Sequence, residues 1–327
     1  MSKPYPSRTE IRDGMRIDWD VPISMNDGIV LRADVFRPTA EGHYPVLLTY
    51  GPYAKGLAFQ EGYAKIWEIL ARDHPDVTAD STNKYQNWEV CDPEKWVPEG
   101  YVCVRIDSRG AGRSPGFIEH FSPREARDYY DCIEWAGVQS WSNGKVGLSG
   151  VSYYAMNQWQ VASLQPPHLA AMCMWEGAAD WYRDSTHHGG IKSTFWDVWY
   201  PVQVKTIQYG LGERGYRSKV HGDLVSGPET LPEEVLVQNR ADFGELILAH
   251  STIAISKIGR PSGTRSRYPS CRPRTGVAKA CICAGMSRVS CDRRHGRNGW
   301  SAMASSTGRT ITRIMAASSS LSFSITS

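Results

Sequence analysis

A serine two residues after a glycine, where an apolar run gives way to a helix-like segment, is the strongest chemical signal in this sequence. Residues Lys145 to Ala155 read Lys-Val-Gly-Leu-Ser-Gly-Val-Ser-Tyr-Tyr-Ala. The run Val146 to Ser149 predicts a strand, Gly150 a sharp turn and Ser152 to Ser163 a helix. A serine on such a turn projects its hydroxyl from the top of a sheet, and the missing side chain at Gly150 lets the backbone fold tightly around it. Ser152 is therefore the candidate nucleophile. Its structural alternative is a helix N-cap after a buried strand. Ser149 also lies near a glycine but falls on the strand side, so it is not a candidate.

The elements that must position Ser152 alternate strand and helix. Ile17 to Ile23 and Ile29 to Arg37 read as an entry hairpin around Met25-Asn26-Asp27-Gly28, and Tyr44 to Tyr50 as a buried strand running into the loop Gly51 to Gly56. Gly62 to Asp73 has helical spacing and stops at Pro75. Tyr101 to Ile106 is a further buried strand entering the glycine-rich loop Asp107 to Gly116. That loop lacks the Gly-Lys-Ser/Thr ending of a phosphate cradle, so its glycines are expected only to let it turn. Ser122 to Gly137 is an amphipathic helix with a capping box of Ser122 and Glu125, and a strand is expected near His168 to Trp175. Strand and helix in alternation predict an α/β fold with a mostly parallel sheet and helices on both faces. Asp180 to His250 loosens into aromatics and helical pieces, Pro232 to Val237 and Asp242 to Ala249 among them, and reads as a helical lid walling an apolar pocket.

Composition divides the chain. Residues 251–327 carry 13 Lys and Arg against the single acid Asp292, a net +12, whereas residues 1–250 stand at −9. The tail also holds 16 Ser and one tryptophan, Trp300. We expect it to be disordered or out of frame, since a shifted reading of a GC-rich gene enriches Arg, Ser, Ala, Gly and Cys. The organisation expected is thus a core at 12–180, a lid at 181–250 and an atypical tail at 251–327. No apolar run approaches the roughly 20 residues needed to cross a bilayer. The polar, proline-rich start has no secretory core, so the expected compartment is the cytoplasm. Cys91, Cys103, Cys132 and Cys173 are dispersed as reduced thiols would be. Cys271, Cys281, Cys283 and Cys291 match no standard zinc spacing, so no metal is expected there.

Several stretches occur together in one order: Pro52-Tyr53-x-Lys55, Asp107-x-Arg109-Gly110-x-Gly112-x-Ser114, Ile133-Glu134-Trp135, Gln139-x-Trp141-Ser142-Asn143-Gly144-Lys145-Val146-Gly147 and Gly150-x-Ser152-Tyr153. The sequence over about 12–250 resembles the CocE/NonD family of α/β-hydrolases, which groups cocaine esterase with X-Pro dipeptidyl-peptidases. The resemblance implies an α/β-hydrolase fold and hydrolysis of small-molecule esters or amides through an acyl-enzyme, with water as the second substrate and no cofactor. It implies Ser152 as nucleophile. The oxyanion would be held by the hydroxyl of Tyr53 and the backbone N–H of Tyr153, two donors aimed where negative charge develops.

The triad's acid and base should follow on later strand-end loops. After His250 no apolar strand leading into a Gly-Trp-x-Asp turn is legible, and Asp292 and His295 are too close in sequence to come from two separate loops. Asp107 precedes the serine, against the fold's order, and is expected to pair with Arg109 instead. His187, His188 and His221 read as lid or loop residues. The acid and base are therefore expected to be lost. Two rivals follow: an inactive hydrolase-fold binding protein, and a nucleic-acid binder gripping through the basic tail, the less favoured because that tail lacks organised helix and aromatics.

Overall fold

The computed structural model describes residues 6–178 and 180–244, together with the backbone of a strand at Ala280–Cys283. One sheet organises the chain. Its strands are β1 (Arg8–Arg12), β2 (Met15–Ser24), β3 (Val30–Pro38), β4 (Tyr44–Gly51), β5 (Val102–Asp107), β6 (Ser142–Val151) and β7 (Leu169–Trp175), in the order β1-β2-β3-β5-β4-β6-β7, with Ala280–Cys283 outermost. The half that carries the candidate site is parallel: β5, β4, β6 and β7 all run the same way. The other half is an antiparallel meander that begins at Arg8, so the entry hairpin is part of the main sheet.

Alternation along the strands sends side chains to two covered faces. Val46, Leu48, Val102 and Val104 join one cluster, while Leu47 and Cys103, one residue out of phase, join another. The first face is covered by α2 (Pro123–Gly137), through Tyr129, Cys132, Ile133 and Ala136, and by α3 (Tyr153–Ser163), through Ala155 and Val161. The second packs against Tyr85, Trp96 and Val97 from the segment before β5. The helix α1 (Ala64–Asp73) buries Leu70 in the aromatic cluster that surrounds Tyr53.

The start of α2 departs from a reciprocal capping box. Ser122 accepts the N–H of Glu125 at 3.1 Å, as expected, but the Glu125 carboxyl reaches back one residue further, to the N–H of Phe121 at 2.6 Å.

Residues 181–244 form short turns rather than long helices, among them α4 (Phe195–Trp199) and the helix Glu233–Gln238. Their aromatics Trp181, Trp196, Trp199, Tyr200 and Phe243 pack with Tyr53, Tyr153 and Tyr154 in one cluster. The expected helix Asp242 to Ala249 lies largely outside the described residues. Beyond β7, Ala280–Cys283 pairs antiparallel with it from Ala171 to Met174. No helix among the described residues is long and apolar enough to cross a membrane.

Candidate active site

Ser152 occupies the bend between β6 and α3 with φ 55° and ψ −111°, a conformation that costs a non-glycine residue on the order of 1–3 kcal/mol and persists only when its surroundings hold it. Three anchors do so. The N–H of Ser152 donates to the Trp175 carbonyl at the end of β7 (3.0 Å), the N–H of Val151 donates to the Glu89 carbonyl (3.3 Å), and the Ser152 carbonyl accepts from Ala155 and Met156 (3.0 and 2.9 Å) as α3 begins. Ser149, by contrast, is buried on β6 opposite Cys173. A Cβ at Gly150 would lie 2.2 Å from Cβ of Tyr154, so the bend requires glycine there. Gly150→Ala is expected to destabilise by about 1–3 kcal/mol, read as a lower denaturation midpoint at unchanged m-value.

Tyr53 stands beside this bend. Its ring meets those of Tyr153 and Tyr154, the two residues after Ser152, with centroids 6.0 and 5.4 Å away in edge-on geometry. Its hydroxyl accepts the indole N–H of Trp199 at 2.9 Å. That bond occupies a lone pair and leaves the phenolic proton available for donation. Burial, reinforced by the charge of Glu89, raises the Tyr53 phenol well above its ordinary value, so it stays protonated and acts as a donor.

The loop bearing Tyr53 is fixed from below by charge. Lys55 Nζ reaches Asp20 Oδ1 at 2.7 Å and Asp34 Oδ1 at 2.8 Å, and all three side chains are buried. Burial alone would lower the Lys55 ammonium, but Asp20, Asp34 and Asp107 together raise it. Arg113 adds a contact to Asp20 at 3.0 Å.

The expected pairing of Asp107 with Arg109 is corrected. Arg109 binds Asp128 (2.7 Å) and Asp27 (2.9 Å), while the Asp107 carboxyl accepts the backbone N–H groups of Lys55 (2.6 Å) and Arg113 (2.8 Å). It clamps the loops after β4 and β5 to each other. The glycine-rich loop is thus wrapped around an internal carboxylate, with a Cβ at Gly112 only 2.3 Å from Asp107 Oδ2. Burial pushes Asp107 up to about 7, against the pull of Lys55 and the two N–H bonds.

Among the described residues two histidine–carboxylate pairs are present, and neither serves Ser152. His168 meets Glu134 at 2.8 Å, but it lies at the opposite end of β7. There Leu169 pairs with Val146, and six residues of strand separate Val146 from Ser152, about 20 Å. His221 meets Asp223 at 3.0 Å and packs on Trp19, on the meander side of the sheet. His187 stacks on Tyr182 and His188 lies in the adjoining two-residue strand. Asp292 and His295 lie outside the described residues, as do Cys271 and Cys291.

The family model for the X-Pro dipeptidyl-peptidases (S15 family) matches residues 27–220, more than half of the chain. The chain belongs to that family. As an S15 family member of the CocE/NonD group, it is 34% identical over 165 residues to the cocaine esterase of Rhodococcus sp. (strain MB1 Bresler), a match covering 50% of this chain and 24% of that enzyme. Among solved structures, a CocE/NonD family hydrolase from Staphylococcus aureus superposes with a TM-score of 0.54 at 34% identity, over 72% of this chain and 36% of the other. The fold is of the α/β-hydrolase type. The chain spans about a third or less of the length of these two relatives.

The S15 resemblance did not direct attention to Trp199, which anchors the Tyr53 hydroxyl from residues expected only to wall a pocket. Nor did it reveal His120 and Glu125, whose side chains converge on the Tyr153 hydroxyl, His120 Nδ1 at 3.0 Å and the Glu125 oxygens at 2.7 and 2.8 Å. The capping motif was the one available signal for Glu125, and it described the backbone rather than this contact.

Proposed function

We propose that this chain carries the nucleophile and oxyanion half of a CocE/NonD-type serine hydrolase acting on small-molecule esters or amides, with the acid and base of the triad lost. Ser152 attacks the carbonyl, Tyr53 and the Tyr153 N–H receive the oxyanion, and water resolves the acyl-enzyme without a cofactor. The observation that carries this reading is the strained backbone of Ser152, φ 55° at a strand-to-helix bend, with the Tyr53 phenol packed beside it. In this reading residues 12–180 are the core and 181–250 a lid whose aromatics Trp196, Trp199, Tyr200 and Phe243 wall the acyl pocket, while 251–327 are a tail of different composition. The thiols of Cys91, Cys103 and Cys132, none of them in a disulfide, suit a reducing cytoplasm.

A second reading, an inactive binding protein on the same fold, is favoured by the distance of the described histidine–carboxylate pairs from Ser152. A fluorophosphonate probe with mass analysis separates the two. Slow labelling at Ser152, absent in Ser152→Ala and accelerated by added imidazole, is expected of a nucleophile that lacks its base. No labelling with or without imidazole establishes the binding protein, and fast labelling indifferent to imidazole shows that the base is present. Without base and acid, catalysis of about 10³–10⁴ over water is the level expected.

A further inference from the structure

His120, Tyr153 and Glu125 are all buried, and the Tyr153 hydroxyl lies within hydrogen-bond distance of both others: 3.0 Å from His120 Nδ1, and 2.7 and 2.8 Å from the two Glu125 oxygens. A phenol has one proton to give. It therefore donates to one neighbour and accepts from the other. The remaining imidazole nitrogen, His120 Nε2, is buried without a hydrogen-bond partner, and both His120 and Glu125 line a cavity of about 160 Å³ shared with Ile118, Ser122, Arg109 and Arg124. The His120 ring also packs on Trp199, the residue that anchors the Tyr53 hydroxyl, with centroids 5.3 Å apart.

We propose that Glu125 and His120 are positioning residues that act through the Tyr153 hydroxyl, as a relay whose proton order sets whether His120 Nε2 offers the cavity an N–H or a lone pair. Two orders satisfy every contact. In one, protonated Glu125 donates to Tyr153, Tyr153 donates to His120 Nδ1, and Nε2 carries the imidazole proton. In the other, Nδ1–H donates to Tyr153, Tyr153 donates to the Glu125 carboxylate, and Nε2 is bare. The first becomes the second when the Nε2 proton leaves to solvent through the cavity, the Tyr153 proton passes to Nδ1 and the Glu125 proton passes to Tyr153. Ionisation of the buried acid is thereby expressed as a base at the cavity wall. In both orders the Tyr153 side chain stays pinned, and with it the backbone N–H that receives the oxyanion, a consequence that rests on the function proposed above.

The exchange falls in an accessible range. Burial pushes Glu125 up to about 7, opposed by the Tyr153 hydroxyl and the Phe121 N–H and assisted by Asp128 and Glu119. Asp128 is itself held by Arg109 and Arg124 at 2.7 and 2.6 Å. Burial drives His120 down to about 3, so it remains neutral and changes tautomer instead of charge.

Nitrogen NMR of the full chain labelled with ¹⁵N-histidine tests this, the His120 signals being assigned by His120→Gln. Between pH 5 and 9 Nε2 should pass from the protonated to the bare type near pH 7 while Nδ1 moves the opposite way. Tyr153→Phe should abolish that dependence. Glu125→Gln, whose amide donates to Tyr153, should hold the Nε2–H form throughout. A wild-type His120 that keeps one tautomer over the whole range, or becomes imidazolium, overturns the relay, and this titration decides even where a variant does not fold. The positioning role is read in the imidazole-assisted labelling of Ser152: Glu125→Ala should slow it about tenfold or more, and Glu125→Gln should restore it. Equal rates in Glu125→Ala and wild type would remove that role. Absence of labelling in wild type would sink the hydrolase reading, whereas the tautomer exchange is measured without turnover.

Discussion

Replacing Lys55 by methionine is expected to cost about 3–5 kcal/mol of folding free energy at neutral pH, because the substitution removes the ammonium from a buried cluster and leaves its carboxylates behind. Asp20 and Asp34 lie 2.7 and 2.8 Å from Lys55 Nζ, and Asp34 is fully buried with its second oxygen already unpartnered. In the wild type, burial works against ionisation of Asp20, but Lys55 and Arg113 prevail and hold it below its ordinary value. Such a group contributes stability above the unfolded carboxylate range and loses it as pH falls through the folded value. In Lys55→Met Asp20 keeps Arg113 but loses the ammonium, so burial, the largest influence on it, is opposed by less charge. Where burial then prevails the native state binds more protons than the unfolded state, and stability should recover as pH falls from 8 towards 5. Urea denaturation at several pH values provides the check. A destabilisation below about 1 kcal/mol, or one that grows on acidification, would show that Lys55 does not hold the cluster.

Lys55 also illustrates what could be read in advance. Its place in Pro52-Tyr53-x-Lys55 was visible, whereas its partners were not, since Asp20 and Asp34 come from β2 and β3, which reach it only once β3 has paired with β5 and β5 with β4. The bend at Ser152 was legible because all its determinants are local: an apolar run, a glycine that Tyr154 leaves no room to replace, and a helix-forming segment. Asp107 was misassigned for the opposite reason. Its partners are two backbone N–H groups, and backbone groups carry no sequence signal, so the nearby Arg109 drew the assignment while its guanidinium was bound to Asp128 on α2. The strand Ala280–Cys283 is four residues long, too short for a period to declare itself. Residues 181–244, expected as helical pieces, fold into short helical segments, Glu233–Gln238 among them, with Pro201 following Tyr200 and glycines at 210, 212 and 215 interrupting any continuous helix.

Tyr53→Phe should lower the imidazole-assisted rate of Ser152 phosphonylation, or of ester hydrolysis where turnover is measurable, by about 10²–10³-fold, the loss typical of one oxyanion donor. The ring is retained, so the edge-on contacts with Tyr153 and Tyr154 survive and the substrate's apolar surroundings change little. The fall should therefore appear in kcat with KM nearly unchanged, as for an interaction made only in the transition state. The substitution has a second consequence. Trp199 Nε1 loses its acceptor in a buried setting, which should cost about 1–3 kcal/mol of stability. Trp199→Phe breaks the same bond from the other side, removing the indole donor while the Tyr53 hydroxyl remains. If Tyr53 acts as a donor to developing charge, Trp199→Phe should lose far less rate than Tyr53→Phe. If Tyr53 is only a packing residue of the loop, both variants should lose stability and neither should lose more than a few-fold in rate, and the oxyanion assignment at residue 53 would then have to be abandoned.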